Sequence, residues 1–197
     1  MEQALRRGIP TEFRCIFPET VMTNNPHNDL AARILKINHA GENGAVHIYT
    51  GQIFFARFTA PKMHSELVEF KSHEEKHRAL FWDELQRRHR PRCRSYWLCG
   101  IGGLVLGLVT GALGAQAIAA TTVAVERVVL RHLEQQLEQL HGIDEAAVRV
   151  IEAIVTEERQ HHDLSASHLL PSQFWNKLLT QIVSACTETV IWVGMRI

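Results

Sequence analysis

The sequence predicts an all-α protein built on a four-helix bundle of two similar helical hairpins, with an additional apolar helix that contacts a membrane. Apolar residues recur at spacings of three and four along several stretches, which is typical of helices that bury one face. A pattern of Glu and His occurs twice in register, as two related hairpins would require. At 197 residues and 46% hydrophobic content, the chain can bury one core, and we expect a single domain over residues 29–197.

The repeated pattern is a lone glutamate that is followed, 32 residues later, by Glu-x-x-His. In the first half it consists of Glu42, Glu74 and His77. The copy stands 84 residues further on at all three positions and consists of Glu126, Glu158 and His161. Residues three apart share one face of a helix, so each Glu-x-x-His can present a carboxylate and an imidazole to one ion. Two such motifs with two further glutamates are typical of bundles that bind two metal ions.

Charge balance favours the metal interpretation. Each unpaired carboxylate in a core would cost on the order of several kcal/mol, and the predicted apolar stripes contain no Lys or Arg to offset that cost. Two divalent ions would balance four glutamates, and two neutral imidazoles would complete the sites without adding charge. The pattern therefore predicts a buried di-metal centre.

Composition limits the possible partners and compartments. The 21 basic and 21 acidic residues cancel, so nucleic acid is not a predicted partner. The four cysteines form no C-x-x-C pair, which favours a reducing compartment over a zinc site or a disulfide framework. Residues 1–28 mix arginines, glutamates and three prolines without the apolar core of a signal peptide. We expect them to be a poorly ordered lead-in.

Three of the predicted bundle helices have clear limits. The first covers about residues 28–60 and stops before Pro61. The second covers about residues 62–88, and the fourth covers about residues 144–168 and ends before Pro171. Each places its Glu, or its Glu and His, on the apolar stripe, at positions that a soluble bundle would give to Leu.

The third helix is expected to be one long helix that contains the uncharged stretch 98–125 and continues through Glu126. Twenty-eight uncharged residues exceed the usual length of a membrane-spanning segment. A bundle ligand at position 126 instead favours a helix that lies in the membrane interface with one apolar face exposed. The last segment, residues 174–193, is also apolar and has Trp175 and Trp192 near its ends, which suits contact with the headgroup region.

Other interpretations of the pattern stay open. The Glu and His residues could be solvated, incidental residues of a structural membrane protein, or they could bind iron in a storage protein or ferroxidase. His73 to His77 also match the H-E-x-x-H motif of zinc hydrolases, in which both histidines bind zinc and Glu74 acts as the base. The residue 84 positions after His73 is Glu157. Because the repeat reproduces Glu-x-x-His without the first histidine, it favours the di-metal centre.

The segments that carry the pattern resemble those of the demethoxyubiquinone hydroxylases of ubiquinone biosynthesis. The resemblance runs from about Ala31 to the C-terminus, departs at none of the six positions, and is carried by residues 38–42, 74–77, 123–126 and 158–163. It implies a ferritin-like bundle whose two Fe ions form a di-iron centre that activates O₂. The implied reaction is hydroxylation of the quinone ring of a polyprenyl demethoxyubiquinone or demethoxyubiquinol.

The same resemblance implies partners and a location. Reducing equivalents would come from NADH, and the protein would be peripheral on the inner membrane, on the cytoplasmic face in a bacterium or the matrix face in a mitochondrion. A lipid-binding partner protein is expected in a eukaryote, and we expect a homo-oligomer. His132 corresponds to a histidine near the metal site, and Trp192 stands where some members have tyrosine. Each half of the repeat would hold one iron, with one glutamate from each half bridging both.

Overall fold

Six α-helices make up most of the described chain. The computed structural model describes the backbone of residues 26–170 and 174–196, and that part contains no strand. The helices are α1 (Pro26–Thr59), α2 (His64–Arg87), α3 (Tyr96–Leu113), α4 (Ala115–Leu140), α5 (Glu145–Ser167) and α6 (Phe174–Gly194). The all-α prediction is confirmed. Residues 1–25 of the predicted lead-in and the side chain of Trp175 lie outside the described residues.

Helices α1, α2, α4 and α5 form the four-helix bundle as two hairpins. Within the hairpins α1 packs on α2 and α4 packs on α5, and contacts of α2 with α5 and of α1 with α4 join them. One buried apolar cluster includes Leu35, Phe81 and Ile151, and a second includes Tyr49 and Phe70. Along the helices, the repeated Glu and His residues stand between these two clusters. Apolar packing on both sides therefore fixes their level in the bundle.

The start of α5 shows how a helix end can also join the two hairpins. The Asp144 side chain caps the helix by accepting a hydrogen bond from the Ala147 backbone N–H at 3.1 Å. Its two carboxylate oxygens also accept bonds from the guanidinium of Arg88, at 2.5 and 2.8 Å. Because Arg88 directly follows α2, this ion pair fixes the end of one hairpin to the beginning of the other.

The predicted single long third helix is wrong, because the chain breaks it at Gly114. This residue has φ +89° and lies between α3 and α4. Only glycine adopts that left-handed conformation at no steric cost. The uncharged stretch is thereby divided between α3, which packs on α1 outside the bundle, and the first turns of α4, which are buried within it.

Helices α1 and α3 touch through their backbones. A Cβ atom added to Gly103 would overlap the carbonyl oxygen of Gly44, and one added to Gly107 would overlap that of Ile48. Thr59 Oγ1 also donates a hydrogen bond to the carbonyl oxygen of Gly111 at 2.7 Å. Glycines on one side of α3 therefore allow the close approach that small residues give in helix pairs.

The opposite side of α3 is apolar and exposed. Six of its large apolar side chains are more than half exposed: Trp97, Leu98, Ile101, Val105, Val109 and Leu113. Within the described residues, α3 is the helix that is long and apolar enough to cross a membrane by length and composition, and about a third of it is buried. The last helix, α6, packs on α4, where Val183 is buried against Ala124 and Val125.

Candidate metal centre

The six residues of the repeated pattern converge inside the bundle. They lie on four different helices, as the pattern predicts for such a centre. All are at most 5% exposed: Glu42 on α1, Glu74 and His77 on α2, Glu126 on α4, and Glu158 and His161 on α5. The arrangement follows from the hairpins, because each lone glutamate and its Glu-x-x-His stand on neighbouring helices at the same level.

The six side chains form two overlapping groups. In each group one ligand atom per residue lies within 4.8 Å of the ligand atoms of the others. The first group consists of Glu42, Glu74, His77 and Glu158. The second consists of Glu74, Glu126, Glu158 and His161. Because Glu74 and Glu158 belong to both groups, one glutamate from each half stands where it could bridge two ions.

Both imidazoles present the same nitrogen to the carboxylates. His77 Nδ1 lies 3.0 Å from a Glu158 oxygen and 3.7 Å from a Glu74 oxygen. His161 Nδ1 lies 3.1 Å from a Glu74 oxygen and 3.7 Å from a Glu158 oxygen. Each histidine therefore points both at the glutamate of its own helix and across the interface at the glutamate of the other hairpin.

The donor set fits two divalent metal ions. Five buried atoms of the cluster lie close to one another but make no hydrogen bond of good geometry: Nδ1 of His77 and of His161, Oε1 of Glu74, and both carboxylate oxygens of Glu158. Buried polar atoms without partners are rare, and a coordinated ion is one way to satisfy them. Carboxylate and imidazole ligands in this ratio suit iron or manganese.

In the metal-free protein, bound protons offset the negative charge of the four carboxyl groups. Burial, together with the charges of Glu74 and Glu158, raises the pKa of Glu42 well above its usual value. Burial and the same two charges raise the pKa of Glu126 in the same way. Burial also acts to raise the pKa of Glu74 and of Glu158, but contacts with the two imidazoles outweigh it and leave both lowered.

The two histidines respond in the opposite sense. Burial acts to lower the pKa of His77, but its contacts with Glu158 and Glu74 outweigh burial and raise it to about 12. The same balance raises the pKa of His161 to about 9. In the metal-free protein His77 and His161 are therefore imidazolium ions that face the carboxylates of Glu74 and Glu158. The two outer glutamates, Glu42 and Glu126, hold their protons.

The far nitrogen of each imidazole is held by a residue of the other hairpin. His77 Nε2 donates to Glu157 Oε2 at 2.8 Å, and His161 Nε2 lies 3.1 Å from His73 Nδ1. The His73 and His161 rings are also stacked, with centroids 5.3 Å apart. Neither role was predicted from the sequence, although a signal exists: His73 and Glu157 are themselves 84 positions apart, each directly before a Glu-x-x-His.

These contacts also decide against the zinc-hydrolase arrangement among the described residues. That arrangement needs His73 and His77 on one ion. His73 is in neither group of candidate ligands, and its Nδ1 instead faces the back of His161.

Tyr49 and His132 make contacts that the sequence did not predict. Tyr49, which reads as an ordinary apolar-stripe residue, is 1% exposed and donates its hydroxyl to Glu126 Oε1 at 2.9 Å. Burial raises the pKa of Tyr49 well above its usual value, so the phenol stays a donor. His132 bonds to Glu188 of α6 at 2.9 Å and lines a separate cavity of about 230 Å³. It therefore holds neither ligand histidine.

An apolar cavity of about 580 Å³ lies beside the cluster, within the range of small-molecule sites. Its lining includes the four buried carboxyl groups and apolar side chains of α1, α3, α4 and α6. Exposed Leu98, Ile182 and Val190 also belong to the lining. The cavity therefore connects the exposed apolar surface of α3 and α6 with the candidate metal centre.

Comparisons with known proteins agree with this geometry. A family model described as ubiquinone biosynthesis protein COQ7 matches residues 29–194. Two similar proteins are named as mitochondrial NADPH-dependent 3-demethoxyubiquinone 3-hydroxylases. The one from Dictyostelium discoideum is 32% identical, and the match covers 84% of this chain and 76% of the relative. The one from Rattus norvegicus is 30% identical, and the match covers 98% of this chain and 93% of the relative. A 3-demethoxyubiquinol 3-hydroxylase of Rhodospirillum rubrum is 32% identical, covering 85% and 79%. The mitochondrial names specify NADPH where we expected NADH.

Proposed function

The chain belongs to the COQ7 family of ubiquinone biosynthesis proteins, and on that premise we propose that it hydroxylates the ring of 3-demethoxyubiquinone or of the corresponding quinol. The observation that carries the proposal is the apolar cavity whose lining includes four buried carboxyl groups of the Glu and His cluster. An iron-storage protein would have no use for an apolar cavity at that position. A quinone with a polyprenyl tail has both the ring and the apolar surface that such a cavity fits.

The proposed metal ligands are the six residues of the repeat. Glu42 and His77 would hold one iron, Glu126 and His161 the other, and Glu74 and Glu158 would bridge them. The support is the overlap of the two groups at the two shared glutamates. When bound, the two iron ions would supply the reduction of O₂ that places one oxygen atom on the ring. In the complete reaction two electrons and two protons convert the second oxygen atom to water, and the electrons come from NADPH, the reductant named for the mitochondrial relatives.

The protein's own part in this chemistry is to bind, orient and exclude water. The apolar lining holds the tail and removes water from the ring, so that the reactive oxygen meets substrate rather than solvent. Glu157 and His73 fix the two ligand imidazoles from behind. Tyr49 fixes the carboxylate of Glu126.

We further propose that the protein is peripheral on the inner membrane, with α3 in the interface. Support comes from the exposed apolar side of α3 and from Leu98, which belongs both to that side and to the cavity lining. A quinone could then enter from the bilayer without crossing water. The other side of α3 packs backbone to backbone on α1, which favours an interfacial helix over a spanning one. One domain over residues 29–197, a lipid-binding partner and self-association stay predictions.

Complementation with quinone analysis tests the proposal. A bacterial strain that lacks its own 3-demethoxyubiquinol hydroxylase should accumulate the demethoxy precursor. The wild-type chain should restore ubiquinone, and His161→Ala should not. His162→Ala is the matched control. The His162 ring is next to His161 in the chain, but it lies outside both ligand groups and contacts Asp163 instead. Mass spectrometry of lipid extracts measures both quinones, and circular dichroism of the purified variants verifies folding. Failure of the wild type to restore ubiquinone, or full restoration by folded His161→Ala, would contradict the proposal.

A further inference from the structure

The two halves of the candidate centre hold their histidines with different groups. His77 Nε2 donates to a carboxylate oxygen of Glu157 at 2.8 Å. The equivalent contact of His161 Nε2 is with the imidazole nitrogen Nδ1 of His73, at 3.1 Å. An imidazole that donates to a carboxylate is a more basic ligand than one that contacts another imidazole. The group behind the imidazole therefore favours the metal position at His77.

The outer glutamates differ in the same sense. Glu126 Oε1 accepts the Tyr49 hydroxyl at 2.9 Å. The position equivalent to Tyr49 in the other half, 84 residues on, is Leu133, which cannot donate a hydrogen bond. A hydrogen bond to a carboxylate lowers its basicity, and a less basic carboxylate gives less electron density to a metal. The phenol thus weakens Glu126 as a ligand, whereas the equivalent side chain, Leu133, cannot weaken Glu42 in this way.

We propose that the two metal positions are unequal, and that Glu157, His73 and Tyr49 are the positioning residues that make them so. The ion held by Glu42 and His77 binds more tightly than the ion held by Glu126 and His161. This inference rests on the proposed di-metal function. It adds which metal position binds more tightly and which residues cause the difference. The repeat makes the ligands symmetric, whereas the residues behind them do not follow that symmetry.

A cobalt titration of the metal-free, full-length protein tests the inequality. Isothermal calorimetry counts the binding steps, and the visible absorption of bound Co²⁺ reports each site's geometry. The wild type should bind two ions in two distinct steps. Glu42→Gln should remove or weaken mainly the tighter step, and Glu126→Gln mainly the looser one, which assigns each step to its position.

Three substitutions then test the cause. Glu157→Gln should weaken the tighter step by about 10- to 100-fold, the usual effect of removing such a supporting group, and should shift its absorption. His73→Glu should tighten the looser step and bring the two steps together. Tyr49→Phe should tighten the looser step by a smaller factor. Glu152→Gln, an exposed position on α5, is the matched control and should change nothing.

The possible outcomes separate the two proposals. A folded wild-type protein that binds no Co²⁺ would overturn the di-metal function and this inference with it. Two ions bound with indistinguishable affinity, or two steps that Glu157→Gln leaves unchanged, would overturn the inequality alone. Circular dichroism of each variant verifies that a lost step reflects binding rather than unfolding.

Discussion

Metal loading should release protons from the buried cluster. Ligand histidines must be neutral and ligand carboxylates ionised before they bind a metal ion. In the metal-free protein the pKa of His77 is raised to about 12 and that of His161 to about 9, so both imidazoles are protonated at pH 7. The pKa values of Glu42 and Glu126 are also raised well above their usual range. Filling both sites at pH 7 should therefore release two protons from imidazoles and up to two more from carboxyl groups.

The size of this effect follows from linkage. Each released proton makes binding stronger by about 1.4 kcal/mol per pH unit. Release of about two to four protons thus strengthens the binding of the ion pair by about 3 to 6 kcal/mol for each unit of rising pH. Above about pH 9, where metal-free His161 loses its own proton, the slope should fall by about one proton.

Calorimetric titration with Mn²⁺ in two buffers of different ionisation enthalpy measures the proton count directly. The same titration at several pH values gives the slope of affinity. His162→Ala is again the control, because that ring lies outside both ligand groups and should leave the count unchanged. Release of fewer than about one proton per pair of ions, or affinity that falls as pH rises, would refute the assignment of charges in the cluster.

Three further predictions concern the scaffold. Gly103→Ala should destabilise the fold by about 1–3 kcal/mol in urea unfolding, because its Cβ overlaps the α1 backbone, whereas Gly102→Ala, with open space around it, should be neutral or stabilising. Asp144→Ala should cost about 1–3 kcal/mol at pH 7, because it removes a helix cap and one of the two carboxylates that bind Arg88, whose bond to Glu84 remains, and exposed Asp83→Ala should cost little. Because hydrogen bonds with Arg88 lower the pKa of Asp144, this stabilisation is present above the unfolded pKa, near 4, and the difference should shrink as pH falls below that value. In vesicle flotation the protein should bind neutral lipid, and about 1 M salt should not release it, because the contact relies on apolar area rather than charge. Release by salt would indicate an electrostatic contact instead.

The repeat explains why the ligand set could be predicted from the sequence. A helix has a fixed period, so Glu42 and the Glu-x-x-His of α2 could be placed on inward faces by spacing alone. The 84-residue register then separated them from ordinary surface residues. The beginning of α5 was equally accessible, because Asp144 precedes an amphipathic stretch and can cap it. These features depend on helical spacing and on a repeat, and both can be found in the sequence without knowing which distant segments touch.

The features that were missed depend on contacts between distant segments. Glu157 and His73 act across the hairpin interface, which helical periodicity does not describe. Tyr49 occupies a position that a core aromatic could fill equally well. The break at Gly114 stood among several glycines, and the positive φ that distinguishes it is fixed by how α3 returns along α1. The sequence predicted NADH, whereas the mitochondrial relatives are named for NADPH, and neither helical spacing nor the repeat bears on the choice of reductant.

The contact between α1 and α3 imposes two separate rules on which substitutions α3 can tolerate. On the inward side, at Gly103 and Gly107, the limit is size, because even a methyl group meets backbone that cannot rotate away. On the outward side, from Trp97 to Leu113, the side chains are exposed, so under the proposed contact with the membrane interface the limit is polarity, and apolar residues of many shapes should exchange freely. Random mutagenesis of α3 with selection for ubiquinone synthesis should therefore reveal two kinds of positions, which alternate with the helical period. One kind would accept almost no replacement, and the other would accept most apolar ones.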